Sequence, residues 1–388
     1  MSAFLMDKKN LFVVLCTTFF SFCTLYTPQP LLPLLVSELG ISANEATLLI
    51  TVTLIPLAIA PIIYGYFLQA IPARSVLFVA VGLLAINQLL FLFATSYWQF
   101  LSLRFIQGCL LPGIFTALMT YCSSMSSSEN VRKVMGWYIA TTILGGFSSR
   151  LFAGLIADVM GWQWIFGFTA MLLILSLFLL RHIAADAVLN FARLDRRSIT
   201  RVLKTPFFSN GYLAIFFIFF VFSGMLNLLP FRLTQIQPSI RSFDISLFYL
   251  GYLIGMPIAI YNEKIVHFFG GAGRALCWGL GLNVMGLVAY LTEQIEIIWI
   301  MMLSFSAGMF FIHATLSGLV NYFAKEHKGV VNGLYVSIYY ASGALGSWLP
   351  SLLYQRYDWN VLIYTLMGMT ALGAFFVVRM SRAARHYN

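Results

Sequence analysis

Residues 98–121 read Trp98-Gln-Phe-Leu-Ser-Leu-Arg104-Phe-Ile-Gln107-Gly108-Cys-Leu-Leu-Pro-Gly-Ile-Phe-Thr-Ala-Leu-Met-Thr-Tyr121, with a single arginine in an otherwise uncharged run. A run of this length matches the roughly 20 apolar residues that a helix needs to cross a bilayer. Similar runs with short polar gaps fill nearly the whole chain. Charged residues make up 9% of it, and Ala, Val, Ile, Leu, Met, Phe, Trp, Tyr and Cys make up 60%. A soluble fold cannot hide that much apolar surface, whereas lipid can. Lipid offers the backbone no hydrogen-bond partner, so the spans must be helices. The hydropathy pattern predicts twelve of them, at 11–37, 45–68, 75–95, 98–121, 134–157, 163–180, 207–230, 245–262, 275–292, 297–321, 330–353 and 360–379. The fold class is therefore an all-α membrane protein. Its first span is too long for the apolar part of a signal peptide and no small-residue cleavage site follows it, so it is expected to stay attached.

Placing the N-terminus inside the cell puts eighteen of the 23 lysines and arginines on the cytoplasmic side. Arg232, Arg241 and Arg356 fall on the opposite side, and Arg104 and Arg150 fall inside spans. This asymmetry predicts that both termini are cytoplasmic. It also accounts for the net charge of +10. The basic residues are divided among short loops, which suits anionic lipid headgroups better than nucleic acid. Cys16, Cys23, Cys109, Cys122 and Cys277 form no metal-binding spacing and read as packing residues. No phosphate-binding loop is present, which argues against ATP-driven pumping. No cofactor is implied.

The longest polar stretch, from about Arg181 to Thr205, separates six spans from six. Gly136, Tyr138, Gly146 and Trp162 are matched by Gly333, Tyr335, Gly343 and Trp359, every pair at a separation of 197 residues. Four pairs at one offset indicate a duplication. The expected organisation is a six-helix bundle over 1–180, a cytoplasmic linker over 181–206 and a second six-helix bundle over 207–388. Two parallel halves of this kind form a transporter architecture, with the solute site between them near mid-membrane.

Three stretches carry a family resemblance. Spans 2 and 3 are joined by Gly65-Tyr-Phe-Leu-Gln69-Ala-Ile-Pro-Ala-Arg74. Span 4 carries Leu101-Ser-Leu-Arg104-Phe-Ile-Gln107-Gly108. Span 5 carries Gly145-Gly146-Phe-Ser-Ser149-Arg150-Leu-Phe-Ala-Gly154. With Tyr26-Thr-Pro28-Gln29-Pro30-Leu-Leu-Pro33 in span 1, the chain resembles the major facilitator superfamily over essentially its full length. Within it, the chain resembles a bacterial inner-membrane branch of drug or sugar efflux carriers. Gln69 stands where the family has an aspartate, and span 5 lacks the Gly-Pro step of the family's antiporter motif. The resemblance implies a rocker-switch carrier, driven by a proton gradient and working as a monomer. It also implies motif roles for Gly65, Arg74, Gly108, Gly145 and Gly146.

An ion within a span is costly and usually functional, so Arg104 and Arg150 are the leading candidates for substrate or coupling residues. Gln107, one turn from Arg104, shares its helix face. The alternative for Arg104 is a structural arginine bound to carbonyls of a neighbouring helix; for Arg150 it is snorkelling to the outer headgroups. As a site charge, Arg104 is expected to be essential for transport and dispensable for membrane abundance. The glycines beside Arg150 suit close helix packing. Gln29, between two prolines, is expected to face the cavity at a weakened turn. Asn227, Asn283 and Asn332 are weaker candidates of the same kind. His313 is the single histidine within the expected spans and titrates near neutrality in its unperturbed form. All thirteen carboxylates fall outside mid-span, Glu38 and Glu45 among them. A cavity whose deep charges are positive suits an anionic or polyhydroxylated solute better than a lipophilic cation. The aromatic residues are expected to face lipid and interface for the most part, with a few of Trp137, Tyr138, Tyr335, Tyr339 and Tyr340 lining the cavity.

Two other function classes are weaker. An intramembrane enzyme needs a catalytic constellation at membrane depth, and His313 stands alone there. A receptor or scaffold would be expected to carry a sizeable domain outside the membrane. Within the transporter class, the sequence leaves open a proton-driven exporter of drugs or sugars, and an importer of an organic acid or a carboxylate metal chelator.

Overall fold

A computed structural model describes residues 8–67, 71–124, 131–183, 196–324 and 328–384. Span 1 is built from the helices Lys8–Phe22 and Leu32–Leu39, with a turn and the 3-10 segment Gln29–Leu31 between them. Spans 2 to 6 are Ala43–Phe67, Ala73–Phe91, Tyr97–Ser124, Val131–Met160 and Trp164–Leu180. A short linker helix, Arg196–Lys204, precedes span 7, Pro206–Ile236. Span 8 comprises Ser242–Phe248, the 3-10 segment Tyr249–Ile254 and Gly255–Phe268. Spans 9 to 12 are Ala272–Ala289, Ile295–Phe323, Lys328–Arg356 and Trp359–Ala384.

Among the described residues, nine of these helices are long and apolar enough to cross a membrane. The other three spans miss that standard for local reasons. Span 1 is interrupted, span 6 has 17 residues, and span 11 is diluted by serines, glycines and tyrosines facing the interior. Several helices outrun the expected limits, span 7 ending at Ile236 and span 8 at Phe268. Hydropathy marks where a helix leaves lipid, not where its hydrogen bonding stops. Two placements change as a result. His267, expected outside, lies in the last turn of span 8, so His313 is not the single histidine in a span. Arg232, expected beyond span 7, is buried within its final turns, with Nη2 3.2 Å from Glu293 Oε1 and the guanidinium over the Trp359 ring.

The linker also holds more order than its polarity suggests. Its helix turns Ser198 and Val202 inward and leaves Arg196, Arg197, Arg201 and Lys204 exposed. At the start of span 2, Ser42 and Glu45 form a capping box, Ser42 N donating to Glu45 Oε2 and Glu45 N to Ser42 Oγ. That bond holds Glu45 at the helix end, away from the interior. Gly40 ends the preceding helix at φ 63°, a left-handed conformation that favours glycine.

Packing repeats with a shift of six spans. Spans 1–5, 1–6, 2–4, 3–4 and 3–6 pack together, as do 7–11, 7–12, 8–10, 9–10 and 9–12. One hydrogen bond repeats as well: Tyr138 OH donates to the Phe115 carbonyl at 3.2 Å, and Tyr335 OH to the His313 carbonyl at 3.3 Å. The two sets of spans meet where span 2 packs on span 11 and span 5 on span 8. Many aromatic residues expected toward lipid lie inside instead. Tyr121, Tyr212, Tyr249, Tyr290, Phe222 and Phe305 are among the largest fully buried side chains. Twelve helices enclose more interior than Leu and Ile alone fill here.

Close helix approach depends on particular glycines. A Cβ on Gly108 would stand 2.9 Å from Thr53 Cα, against the backbone of span 2. One on Gly145 would stand 2.7 Å from Phe22 Cβ. Backbone cannot yield as a side-chain tip can, so Gly108→Ala is expected to cost about 1–3 kcal/mol. Its melting temperature, followed by size-exclusion fluorescence, should fall by several degrees. Gly82→Ala, with open space around the added methyl, should match or exceed the parent. Equal melting of Gly108→Ala and the parent would remove the close-packing role.

Candidate functional site

The break in span 1 sets up the first buried arginine. Pro28 has no amide to offer the Thr24 carbonyl, and Gln29 N turns to Tyr26 O instead of Leu25 O. Two carbonyls are thereby left without helical donors, and span 4 supplies them. Arg104 Nη2 donates to Leu25 O at 2.8 Å, Nη1 to Thr24 O at 3.3 Å and to Gln107 Oε1 at 2.7 Å, and Nε to Leu49 O at 2.9 Å. Gln107 Nε2 donates to Thr24 O at 2.7 Å. Arg104 and Gln107 are both fully buried. Their geometry is that of a brace joining spans 1, 2 and 4, the structural alternative for Arg104.

Arg150 occupies a different setting. It is fully buried and does not snorkel outward. Nε donates to Gln29 Oε1 at 2.6 Å, and Nη1 to the Gly146 carbonyl. The guanidinium carbon lies 4.3 Å from the ring centre of Tyr26, 4.8 Å from that of Tyr252 and 5.0 Å from that of Tyr249. The 3-10 segment explains this pair, because residues three apart eclipse there and both rings meet the same cation. No carboxylate is buried among the described residues. The cation is held by ring faces and neutral acceptors alone.

Gln29 continues the network across the two sets of spans. Its Nε2 donates to Asn227 Oδ1 at 2.6 Å; Asn227 Nδ2 donates to Ser347 Oγ at 2.7 Å, and Ser347 Oγ to Gly343 O at 2.8 Å. Further bonds join the sets at the end of the bundle away from the termini. Thr47 Oγ1 donates to Ser351 Oγ, Thr51 Oγ1 to Ala344 O, and Ser351 Oγ to Asn44 Oδ1. Asp158 accepts from Ser242 N at 3.2 Å and Phe243 N at 2.9 Å, capping the start of span 8 from span 5. This end is closed.

A cavity of about 280 Å³ lies in the half of the bundle nearer the termini. Its walls come from both sets of spans and include Tyr26, Tyr138, Tyr252, Tyr335, Tyr339 and Tyr340, with Phe22, Phe115 and Phe310. His313 lines it too, its Nδ1 3.0 Å from Tyr335 OH and its ring 4.8 Å from that of Tyr339. Among the described residues no lysine, arginine or carboxylate lines this space. Bonds between the two sets of spans thus close one end of the bundle, and the cavity lies toward the other. The sequence of the chain matches the profile of the Major Facilitator Superfamily over residues 14–347.

The chain belongs to this superfamily. The inner membrane transport protein YnfM of Escherichia coli is 26% identical over 88% of this chain and 82% of its own length. The transporter YybF of Bacillus subtilis is 21% identical over 94% and 92%. The multidrug resistance protein MdtG of Yersinia enterocolitica is 28% identical over about half of each chain. Among solved structures, the human organic anion transporter MFSD10 superposes with a TM-score of 0.73 at 16% identity, covering 95% of this chain and 99% of its own. A mutant of the nucleoside transporter NupG gives 0.77 at 12%, with the same coverage. At these identities the solved structures establish the shared fold. As a superfamily member the protein is a membrane transport protein, not an enzyme.

Seen from this major facilitator fold, the sequence candidates divide. Gln29 and Arg150 meet in one network, Arg104 and Gln107 in another, and His313 lies in the cavity wall. Gln29 faces Arg150 and Asn227 in place of the open cavity. Gly145 packs on span 1, whereas the Gly146 carbonyl serves Arg150. Arg74 Nη2 donates to Arg181 O, tying the start of span 3 to the end of span 6. Gly65 lies in the span 2 helix, and Gln69 lies outside the described residues. Asn283 and Asn332 join neither network. Trp137, considered for the cavity, is exposed on the outer surface of the bundle. Ser347, Asp158 and the cage of Tyr26, Tyr249 and Tyr252 were not singled out by sequence. The Pro-Gln-Pro break was the one signal pointing toward them.

Proposed function

We propose that the protein is a secondary carrier that moves a small anionic or polar solute across the bacterial inner membrane by alternating access, coupled to protons. The observation that carries this reading is the buried cation without a carboxylate, set behind the wall of a cavity shared by two halves. In this reading the halves 1–180 and 207–388 rock about that cavity, with 181–206 as the cytoplasmic link. Both termini face the cytoplasm, so the cavity is open inward. His313 is the proton-exchanging side chain, since it lines the cavity and hydrogen-bonds Tyr335. The working unit is the monomer.

A second reading, proton-driven export of lipophilic drugs, is favoured by the aromatic walls and by the partial likeness to MdtG. Competition by a matched anion, sugar and cation panel at one ionic strength separates the two. Carboxylate or polyhydroxylated competitors should dominate; inhibition by the cations alone would return the protein to the drug-exporter reading.

Orientation has its own test. Fusions of a cytoplasm-active reporter at residues 190–195 and after Arg385 should both be active, following the distribution of lysine and arginine. Activity at one site alone would break the twelve-span topology.

The closed end has another. Asp158 is exposed, so its bonds to the start of span 8 contribute about 0.3–1 kcal/mol to closure. In a background without the five native cysteines, Asp158→Asn should raise labelling of a cysteine at Ser347 by an impermeant maleimide about two- to fivefold. An unchanged rate would show that this contact does not hold the gate.

A further inference from the structure

The cavity carries a more specific chemistry than anion or polar solute. Arg150 already occupies the cation seat formed by the Tyr26 and Tyr252 rings, at 4.3 and 4.8 Å. Aromatic boxes attract cations through ring faces, but here those faces are turned toward the protein's own guanidinium. A second cation in the cavity would meet that charge with no carboxylate in the wall to offset it. An anion would instead gain from the arginine field transmitted through the two rings.

The donors for such an anion are phenols. Tyr138 OH is bonded to Phe115 O and Tyr335 OH to His313. Tyr26, Tyr339 and Tyr340 also line the cavity, and their hydroxyls take no part in the networks that brace span 1 or close the far end. The Tyr339 and Tyr340 rings lie 5.3 Å apart, edge to face, and Tyr26 lines the same space. Three phenols from spans 1 and 11 therefore line one cavity. The remaining wall is flat and apolar. Phe22 and Phe115 stack at 4.1 Å, and Tyr252 meets Phe310 edge to face at 4.8 Å. The volume of about 280 Å³ falls just below the roughly 300–1,000 Å³ of ligand pockets, which favours a small solute.

We infer that the solute is a compact aromatic carboxylate, its ring held between the phenylalanine and tyrosine walls of the two halves and its carboxylate received by the hydroxyls of Tyr26, Tyr339 and Tyr340. The inference rests on the anionic-solute reading above and narrows it. Ring and acid are recognised by different residues, which makes them separable.

Binding to the purified full-length protein is measured with four probes: benzoate, cyclohexanecarboxylate, benzylamine and benzyl alcohol. Benzoate shares its charge with the second probe and its ring with the last two. It should bind at least tenfold more tightly than any of the others. Tyr339→Phe and Tyr340→Phe should each lower benzoate affinity about tenfold, bringing it near that of benzyl alcohol, with the melting temperature of the empty protein unchanged. Equal affinity for the two acids would overturn the aromatic inference and leave the anion carrier standing. Tightest binding by benzylamine would overturn both. Absence of binding by all four at millimolar concentration would overturn the inference, and uptake of a non-aromatic anion by the same preparation would then show that the broader reading survives.

Discussion

Arg104→Ala is expected to lose folded protein first and transport with it. The guanidinium supplies donors to the carbonyls of Thr24, Leu25 and Leu49. Thr24 O keeps the amide of Gln107, and Leu49 O keeps the hydroxyl of Thr53. Leu25 O keeps no side-chain donor among the described residues. An unsatisfied buried polar group costs about 1–3 kcal/mol, and the space left by the side chain adds to it. The sum is about 3 kcal/mol or more, a large part of the stability of an ordinary domain. Membrane abundance should fall severalfold, and the melting temperature of the surviving fraction should drop. This revises the sequence expectation of near-normal abundance, which treated Arg104 as a site charge. Arg104→Lys keeps the charge but not the planar fork that reaches two helices at once. It should recover part of the abundance and none of the lost rigidity at the break. Normal abundance and melting for Arg104→Ala would show that the brace is dispensable.

Arg150→Gln is expected to spare the fold more and selectivity less. A solute stacked beyond Tyr26 would sit about 8 Å from the guanidinium, the ring-to-cation distance plus one stacking distance. At an effective dielectric of about 20 a unit charge there is worth about 2 kcal/mol, or about thirtyfold in affinity. Half-inhibition by a carboxylate should therefore weaken about thirtyfold, and that by a neutral sugar less than threefold. Arg150→Lys should keep most of the charge effect while losing the bond to Gln29 and the stacking on three rings. A similar loss for acid and sugar in Arg150→Gln would assign the arginine to closing the outer end through Gln29 and Asn227, not to reading solute charge.

Much of the fold was legible because a bilayer imposes few solutions. Length and hydropathy marked the spans, and the 197-residue spacing singled out Tyr138 and Tyr335, whose hydroxyls donate to carbonyls 198 residues apart. Burial of Arg104 and Arg150 followed from their position within apolar runs. What each one touches did not follow. Helices in this interior are apolar on several sides, so periodicity does not reveal which face meets which neighbour. The 3-10 segment that aligns Tyr249 with Tyr252 has no marker in residue type. The bonds from Gln29 to Asn227 and from Thr47 to Ser351 join residues 198 and 304 positions apart. Local pattern cannot carry such pairings. Carboxylates were easier: none is buried among the described residues, and Glu45 is held at a helix end by its capping box.

In the function proposed above, the protein exchanges one solute across the membrane through a cavity open to one side at a time. Counterflow in proteoliposomes tests it most directly. Vesicles containing the purified protein are loaded with unlabelled solute, chosen as the strongest competitor of the matched panel, and diluted into a trace of the labelled compound. A carrier with alternating access should accumulate label transiently above its equilibrium level, chemically unaltered, and Arg150→Gln should suppress this overshoot for an anion. Label that merely equilibrates at the same rate with empty and loaded vesicles would contradict alternating access, and label recovered as a different compound would contradict the carrier altogether.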